Sequence, residues 1–113
     1  MIQLYHLKRS PDVQKAERFF KERKIPLQYV DLGKHKLGAR ELQSVARAVG
    51  IKNLVDETSA LWKESTAQFL HHPEALIEAL CDNPKLLRFP ILRNGPKASV
   101  GVAPEIWATW VSS

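Results

Sequence analysis

The sequence predicts an α/β fold built on a mixed four-stranded sheet, with a parallel βαβ half, a helical insert and an antiparallel ββα half. Residues 2–30 have the pattern of a strand, a helix and a second strand, and such a unit is right-handed with parallel strands. Near the other end, Asn94-Gly95 separates two β-prone runs, which is typical of an antiparallel hairpin. The segment between these halves, about 38–83, carries helical patterns and forms the insert.

The first helix has the clearest start signal in the chain. Ser10 suits the N-cap, Pro11 suits the first helical position, and Asp12 lies at the positive end of the helix dipole. Apolar residues then recur at helical spacing: Val13, Ala16, Phe19 and Phe20. The pattern predicts a helix over about 11–23, between strands at 2–5 and 27–30.

The insert begins with a helix that carries Leu42 and Val45 and ends at Gly50, a residue common just past helix ends. Residues 53–70 are less regular and indicate only short helices. A further helix begins at Pro73 and ends at Asn83-Pro84.

The last part of the chain predicts the hairpin and a closing helix. Residues 89–92 and 98–101 are its expected strands, and Pro104 opens the helix. We expect one apolar stripe of this helix to be buried: Ile106, Trp107, Trp110 and Val111.

Composition excludes several classes of protein. With 113 residues, 44% apolar and 26% charged, the chain fits a single domain over 1–113 and does not fit a disordered protein. No apolar run approaches the roughly 20 residues of a membrane span, and the N-terminus lacks the pattern of a secretory leader, so we expect a cytoplasmic protein without a membrane partner. A single cysteine, Cys81, cannot form an internal disulfide or a redox pair.

The net charge of +5 is spread over short clusters, several of which include acidic residues, as Glu22 does within 21–24. This distribution is typical of a solvated surface and does not favour nucleic acid as the partner, although it suits an acidic protein or peptide. The four histidines have no metal-ligand spacing, so we predict no metal site.

Several segments, in order, resemble the arsenate reductase family, the ArsC-like branch of the thioredoxin superfamily that includes the Spx transcription regulators. Tyr5-His6 is similar to the opening of the family, and Val30-Asp31-Leu32 to its second strand. The segments 83–91 and 100–105, Asn-Pro-Lys-Leu-Leu-Arg-Phe-Pro-Ile and Val-Gly-Val-Ala-Pro-Glu, resemble its later parts. The resemblance implies a thioredoxin-like fold.

The family's reactive residues are not carried over. Its nucleophilic cysteine, at the start of the first helix, corresponds to Ser10, and its three oxyanion-binding arginines correspond to Asp56, Phe89 and Ala103. The resemblance therefore implies the fold without the reaction.

Two residues have more than one interpretation. Ser10 is an N-cap, a hydrogen-bonding group for a ligand, or a nucleophile that would need a neighbouring base, for which His6 is the only candidate close in sequence. Cys81 is a packing residue at the end of an apolar stripe or a reactive thiol.

The resemblance also implies that the Phe89–Pro90 bond is cis and faces the start of the first helix, where Phe89 makes the groove apolar. The candidates for binding a ligand or partner are Lys8, Arg9, Ser10, Phe89 and Pro90. We assign no catalytic residue.

These observations favour a noncatalytic arsenate reductase-like protein that acts as a protein- or peptide-binding scaffold, with a regulatory role by analogy with Spx. The alternative is a thiol-linked oxidoreductase or glutathione-dependent enzyme that takes its thiol from glutathione or from a partner. Apart from glutathione in that alternative, no cofactor is expected.

Overall fold

A computed structural model describes residues 1–111 and has a four-stranded sheet in the order β2-β1-β3-β4. The first two strands, β1 (Ile2–His6) and β2 (Leu27–Asp31), are parallel. The third, β3 (Ile91–Asn94), runs antiparallel to β1 and to β4 (Lys97–Val100). This mixed sheet, with helices before and after the hairpin, confirms the predicted fold class.

The crossover between β1 and β2 is helix α1 (Pro11–Glu22), which ends one residue before the predicted boundary. Its start is the predicted one, because the backbone N–H of Val13 donates to Ser10 Oγ over 3.3 Å. The buried face of α1 carries Val13, Ala16 and Phe20, and the Phe20 ring lies 5.7 Å from that of Trp107.

Every regular element between β2 and β3 is helical, as predicted. The α-helices are α2 (Ala39–Val49), α3 (Ala60–Glu64) and α4 (Pro73–Asp82). Short 3-10 turns follow each of them: Ile51–Leu54, Thr66–Phe69 and Pro84–Leu86. Gly50 ends α2 with a φ of 91°, a value that favours glycine.

The hairpin differs from the prediction in its boundaries. Asn94 belongs to β3 and pairs with Lys97, so the two-residue loop is Gly95-Pro96, in which Gly95 has a φ of 62°. Phe89 and Pro90 precede β3 instead of forming its start. Proline has no N–H for the ladder, so Pro90 takes part only through its carbonyl, which accepts the Gly101 N–H at 2.9 Å.

The closing helix, α5 (Pro104–Val111), corrects one expectation. Trp107 is buried, but Ile106 is 39% exposed, and Trp110 and Val111 are only half-buried. Neighbouring helical residues point about 100° apart, so the face of α5 that packs Trp107 against α1 turns Ile106 toward solvent. The predicted stripe was therefore too wide.

The sheet separates two apolar clusters, and alternate residues of β1 point into each. Leu4 packs with α1 and α5, whereas Tyr5 packs with the helical insert.

In the described part of the chain, no helix has the length and apolar character needed to cross a membrane.

Candidate functional site

The loop between β1 and α1, residues 7–10, lies between two surface clefts. One cleft, which we call the Ser10 cleft, has a volume of about 360 Å³. Its lining residues come from this loop, from α3 and from the segment before β3: Leu7, Lys8, Ser10, Leu61, Lys85 and Phe89. Three of the sequence-predicted site residues thus meet in one place.

At this cleft the Ser10 hydroxyl caps the N-terminus of α1. Ser10 has extended backbone angles, and its Oγ accepts the Val13 N–H, as an N-cap does. Among residues 1–111, no histidine or carboxylate side chain hydrogen-bonds to Ser10, and His6 instead packs edge-on against Tyr29. A serine nucleophile normally needs an adjacent base, so this arrangement leaves the hydroxyl without activation.

The wall opposite Ser10 is apolar. The Phe89–Pro90 peptide bond is cis, as predicted, and Phe89 is half-buried in the cleft while Pro90 is buried. Leu61, from α3, is 54% exposed beside it. An apolar side chain of a ligand would therefore find two partly exposed apolar surfaces here.

The charge of the Ser10 cleft is positive. Lys8 and Lys85 are both exposed, and none of its lining residues is acidic. The nearby Asp12 is exposed and lies 3.9 Å from the Lys15 ammonium group. A carboxylate next to an apolar group would complement this lining.

Arg9, the remaining charged candidate, faces a different cleft. This second cleft, the Glu17 cleft, has a volume of about 490 Å³ and is lined by His6, Leu7, Arg9, Val13, Glu17 and Tyr29. Arg9 Nη2 lies 2.6 Å from Glu17 Oε2, which also accepts a 3.0 Å hydrogen bond from the Tyr29 hydroxyl. The structure therefore does not bring Arg9 together with Lys8, Ser10 and Phe89.

This network shifts three pKa values, and the hydrogen bond to Glu17 raises that of the Arg9 guanidinium. Partial burial alone would raise the pKa of the Glu17 carboxyl, but the hydrogen bonds from Arg9 and Tyr29 outweigh it and lower that pKa. Burial and the carboxylate acceptor raise the pKa of the Tyr29 hydroxyl. Glu17 is thus held in its charged form at neutral pH.

The three positions that the resemblance matches to oxyanion-binding arginines carry no cationic side chain: Asp56, Phe89 and Ala103. Asp56 is exposed, and its Oδ1 accepts the Thr58 N–H at 3.0 Å. Ala103 is buried in the cluster that includes α1, and only Phe89 lines the Ser10 cleft. Arg88, adjacent to Phe89, lies instead against Gly101, where a Cβ would come within 3.2 Å of its Nη2.

Cys81 is separate from this region. It is only 6% exposed and belongs to the apolar cluster between the sheet and the helical insert. Burial raises the pKa of its thiol. These observations agree with the packing interpretation.

The sequence did not predict three of the residues that line the Ser10 cleft: Leu7, Leu61 and Lys85. Leu61 lies in the irregular segment 53–70, so neither its helix nor its direction could be assigned. Lys85 follows Pro84 in a 3-10 turn, and its charge was the only available signal.

No group of three or more potential metal-ligating side chains comes together within residues 1–111.

The fold and these clefts define an α/β protein of thioredoxin-like architecture. The family model described as ArsC matches residues 5–110, and the chain belongs to the ArsC family. It is 29% identical over 108 residues to the uncharacterized protein YfgD of Escherichia coli (strain K12), an alignment that covers 92% of this chain and 91% of that protein.

Solved structures share the fold at lower sequence identity. The protein YFFB superposes with a TM-score of 0.85 at 21% identity, covering 99% of this chain and 100% of that one. A putative arsenate reductase from Yersinia pestis superposes with a TM-score of 0.84 at 22% identity, covering 96% and 99%.

Proposed function

We propose that this chain is a noncatalytic member of the arsenate reductase-like family, and that it binds a protein or peptide partner in the Ser10 cleft. The observation that carries the proposal is the hydrogen bonding of Ser10: its hydroxyl caps α1, and no histidine or carboxylate side chain within residues 1–111 hydrogen-bonds to it. The helix dipole supplies about 0.5 to 2 kcal/mol, which is far too little to ionise an alcohol. The one thiol, Cys81, is buried in the other apolar cluster.

The lining of the Ser10 cleft supports a partner with acidic and apolar side chains. Lys8 and Lys85 supply positive charge, while Leu61 and Phe89 supply apolar surface. Aromatic and apolar anchors with charged neighbours are typical of peptide-binding surfaces. The acidic partner predicted from the net charge would thus be recognised by these two lysines.

A coupled assay tests the absence of catalysis. Arsenate, glutathione, glutathione reductase and NADPH are incubated with the wild-type protein and with Ser10→Ala, and NADPH absorbance is followed. We expect both proteins to match the protein-free rate. Arsenate-dependent NADPH consumption by the wild type that disappears in Ser10→Ala would contradict the proposal.

Selection from a phage-displayed peptide library tests the binding site. Selected peptides are measured against the wild type, against the double variant Lys8→Glu/Lys85→Glu, and against Lys52→Glu, an exposed lysine outside the cleft. We expect acidic peptides that lose at least about fivefold in affinity in the double variant only. Equal binding to all three proteins would exclude the cleft as the site.

One feature favours the enzymatic alternative, a glutathione-dependent oxidoreductase. The two lysines of the Ser10 cleft could pair with the two carboxylates of glutathione, which would bring its own thiol. An NMR titration with glutathione separates the two functions. Shifts confined to Ser10, Phe89 and Pro90 would favour this alternative, and their absence at millimolar glutathione would remove it.

A further inference from the structure

The strand β2 forms one edge of the sheet. It pairs with β1 on one side, and no other strand in residues 1–111 pairs with its outer side. Edge strands present backbone N–H and C=O groups that another chain can pair with.

The ladder assigns the open groups to Leu27 and Tyr29. Leu32 N–H donates to the His6 carbonyl at 2.8 Å, so residues in phase with Leu32 turn their backbone groups toward β1. Leu27, Tyr29 and Asp31 are out of phase and turn theirs to the free edge. The Asp31 carbonyl already accepts from Lys34 and His35, at 3.0 and 2.9 Å, so Leu27 and Tyr29 are the residues with both backbone groups open.

A groove runs beside these open groups on the α1 side of the sheet. The Glu17 cleft shares Glu17 and Tyr29 with a neighbouring cleft of about 460 Å³. The neighbouring cleft is lined by the end of α1, the following turn and β2: Glu17, Lys21, Lys24, Ile25, Pro26, Leu27 and Tyr29. A chain extended along β2 would direct every second side chain into this groove.

The groove has an excess of positive charge. Its one carboxylate, Glu17, is already paired with Arg9. Lys21 and Lys24 are exposed, and no carboxylate lies within ion-pair distance of either one in the described residues. Acidic side chains on the added strand would therefore be favoured.

We propose that the outer edge of β2 binds an extended acidic segment of a partner protein as an additional strand. The segment pairs with the backbone of Leu27 and Tyr29 and places carboxylates near Lys21 and Lys24. This site goes beyond the proposed function, because it shares none of the polar residues of the Ser10 cleft. A second copy of this chain fits less well, since its β2 carries only one carboxylate, Asp31, among five residues.

The probe is a short synthetic peptide, acetyl-Glu-Thr-Glu-Val-Glu-Thr-Glu-amide, titrated into the labelled full chain. We expect amide shifts at Leu27 and Tyr29, and slowed hydrogen exchange of the Tyr29 amide, which is unpaired in the free protein. A matched peptide with alternate backbone amides N-methylated should not bind, because it cannot complete the ladder. Equal binding of the methylated peptide would overturn strand addition.

Charge variants test the role of the groove. Lys21→Glu/Lys24→Glu should weaken the peptide by about fivefold or more, whereas the control Lys52→Glu/Lys97→Glu, with the same net change, should leave it unaffected. Equal loss in both variants would mean general electrostatic attraction and would overturn the assignment. Amide shifts confined to Lys8, Ser10 and Phe89 would also overturn the assignment and would instead support the Ser10 cleft. Dimerisation of the free chain through β2, detected by light scattering, would overturn it as well.

Discussion

The indole Nε1–H of Trp107 donates a 2.8 Å hydrogen bond to the hydroxyl of Ser99 in the interior of the protein. Ser99 is fully buried and is the one buried polar residue in the described core, and Trp107 is 1% exposed. The bond joins α5 to β4, so the closing helix is held by a polar contact as well as by aromatic packing against Phe19 and Phe20.

Replacing Ser99 by Ala should destabilise the protein by about 1 to 3 kcal/mol, because the buried indole N–H would have no acceptor. Urea denaturation at pH 7 measures the change in the free energy of unfolding. Trp107→Phe, alone and combined with Ser99→Ala, completes a double-mutant cycle. A coupling energy of zero would show that the bond contributes nothing to stability.

The capping role of Ser10 gives a second prediction. Ser10→Ala should lower the free energy of unfolding by about 1 kcal/mol, while Ser10→Asp should keep most of it, because the carboxylate also accepts the Val13 N–H. Thermal and urea denaturation of the three proteins check this. If Ser10→Ala were as stable as the wild type, the hydroxyl would be free for another role.

The third prediction concerns Glu17, whose pKa is lowered by its partners Arg9 and Tyr29. A carboxyl group with a lowered pKa in the folded state stabilises the protein above its unfolded pKa and loses that contribution as pH falls through the folded value. Glu17→Gln should therefore reduce stability at pH 7 and have little effect near pH 2. A difference from the wild type that is constant from pH 7 to pH 2 in urea denaturation would contradict the pKa direction.

The fourth prediction concerns Cys81, whose thiol pKa is raised by burial. Labelling by a thiol reagent at pH 8 should be much slower in the folded protein than in urea, because the thiolate is disfavoured and the sulfur is covered. Since the unfolded thiol ionises first, stability should fall as pH rises above about 8.5, and Cys81→Ala should remove part of that fall. Equal labelling rates in folded and unfolded protein would show an accessible thiol.

Local signals were sufficient for most of the fold. Three boundaries depend only on residues that are adjacent in the sequence: the start of α1 at Ser10-Pro11, the end of α2 at its glycine, and the turn before Lys97. The observed boundaries lie within two residues of the predicted ones. Ile106 was misplaced because periodicity gives the spacing of an apolar stripe but not its width. That width depends on how closely α5 approaches α1.

The sites were harder to predict because they depend on contacts between distant residues. The Arg9–Glu17 pair crosses two turns of α1, and its partner Tyr29 lies on another strand. Similarly, the Tyr5 hydroxyl donates to Glu41 at 2.6 Å and accepts from Arg93 at 3.2 Å, although these residues are far apart in the chain. No pattern within a single segment of the sequence predicts contacts between residues this far apart.

Leu7 is the one residue that lines both the Ser10 cleft and the Glu17 cleft. Its side chain separates two clefts of different chemistry. The Ser10 cleft is basic and apolar, whereas the Glu17 cleft surrounds a paired carboxylate. A change in the size of this single residue reshapes both walls at once, so neither space can evolve a new shape through position 7 without altering its neighbour.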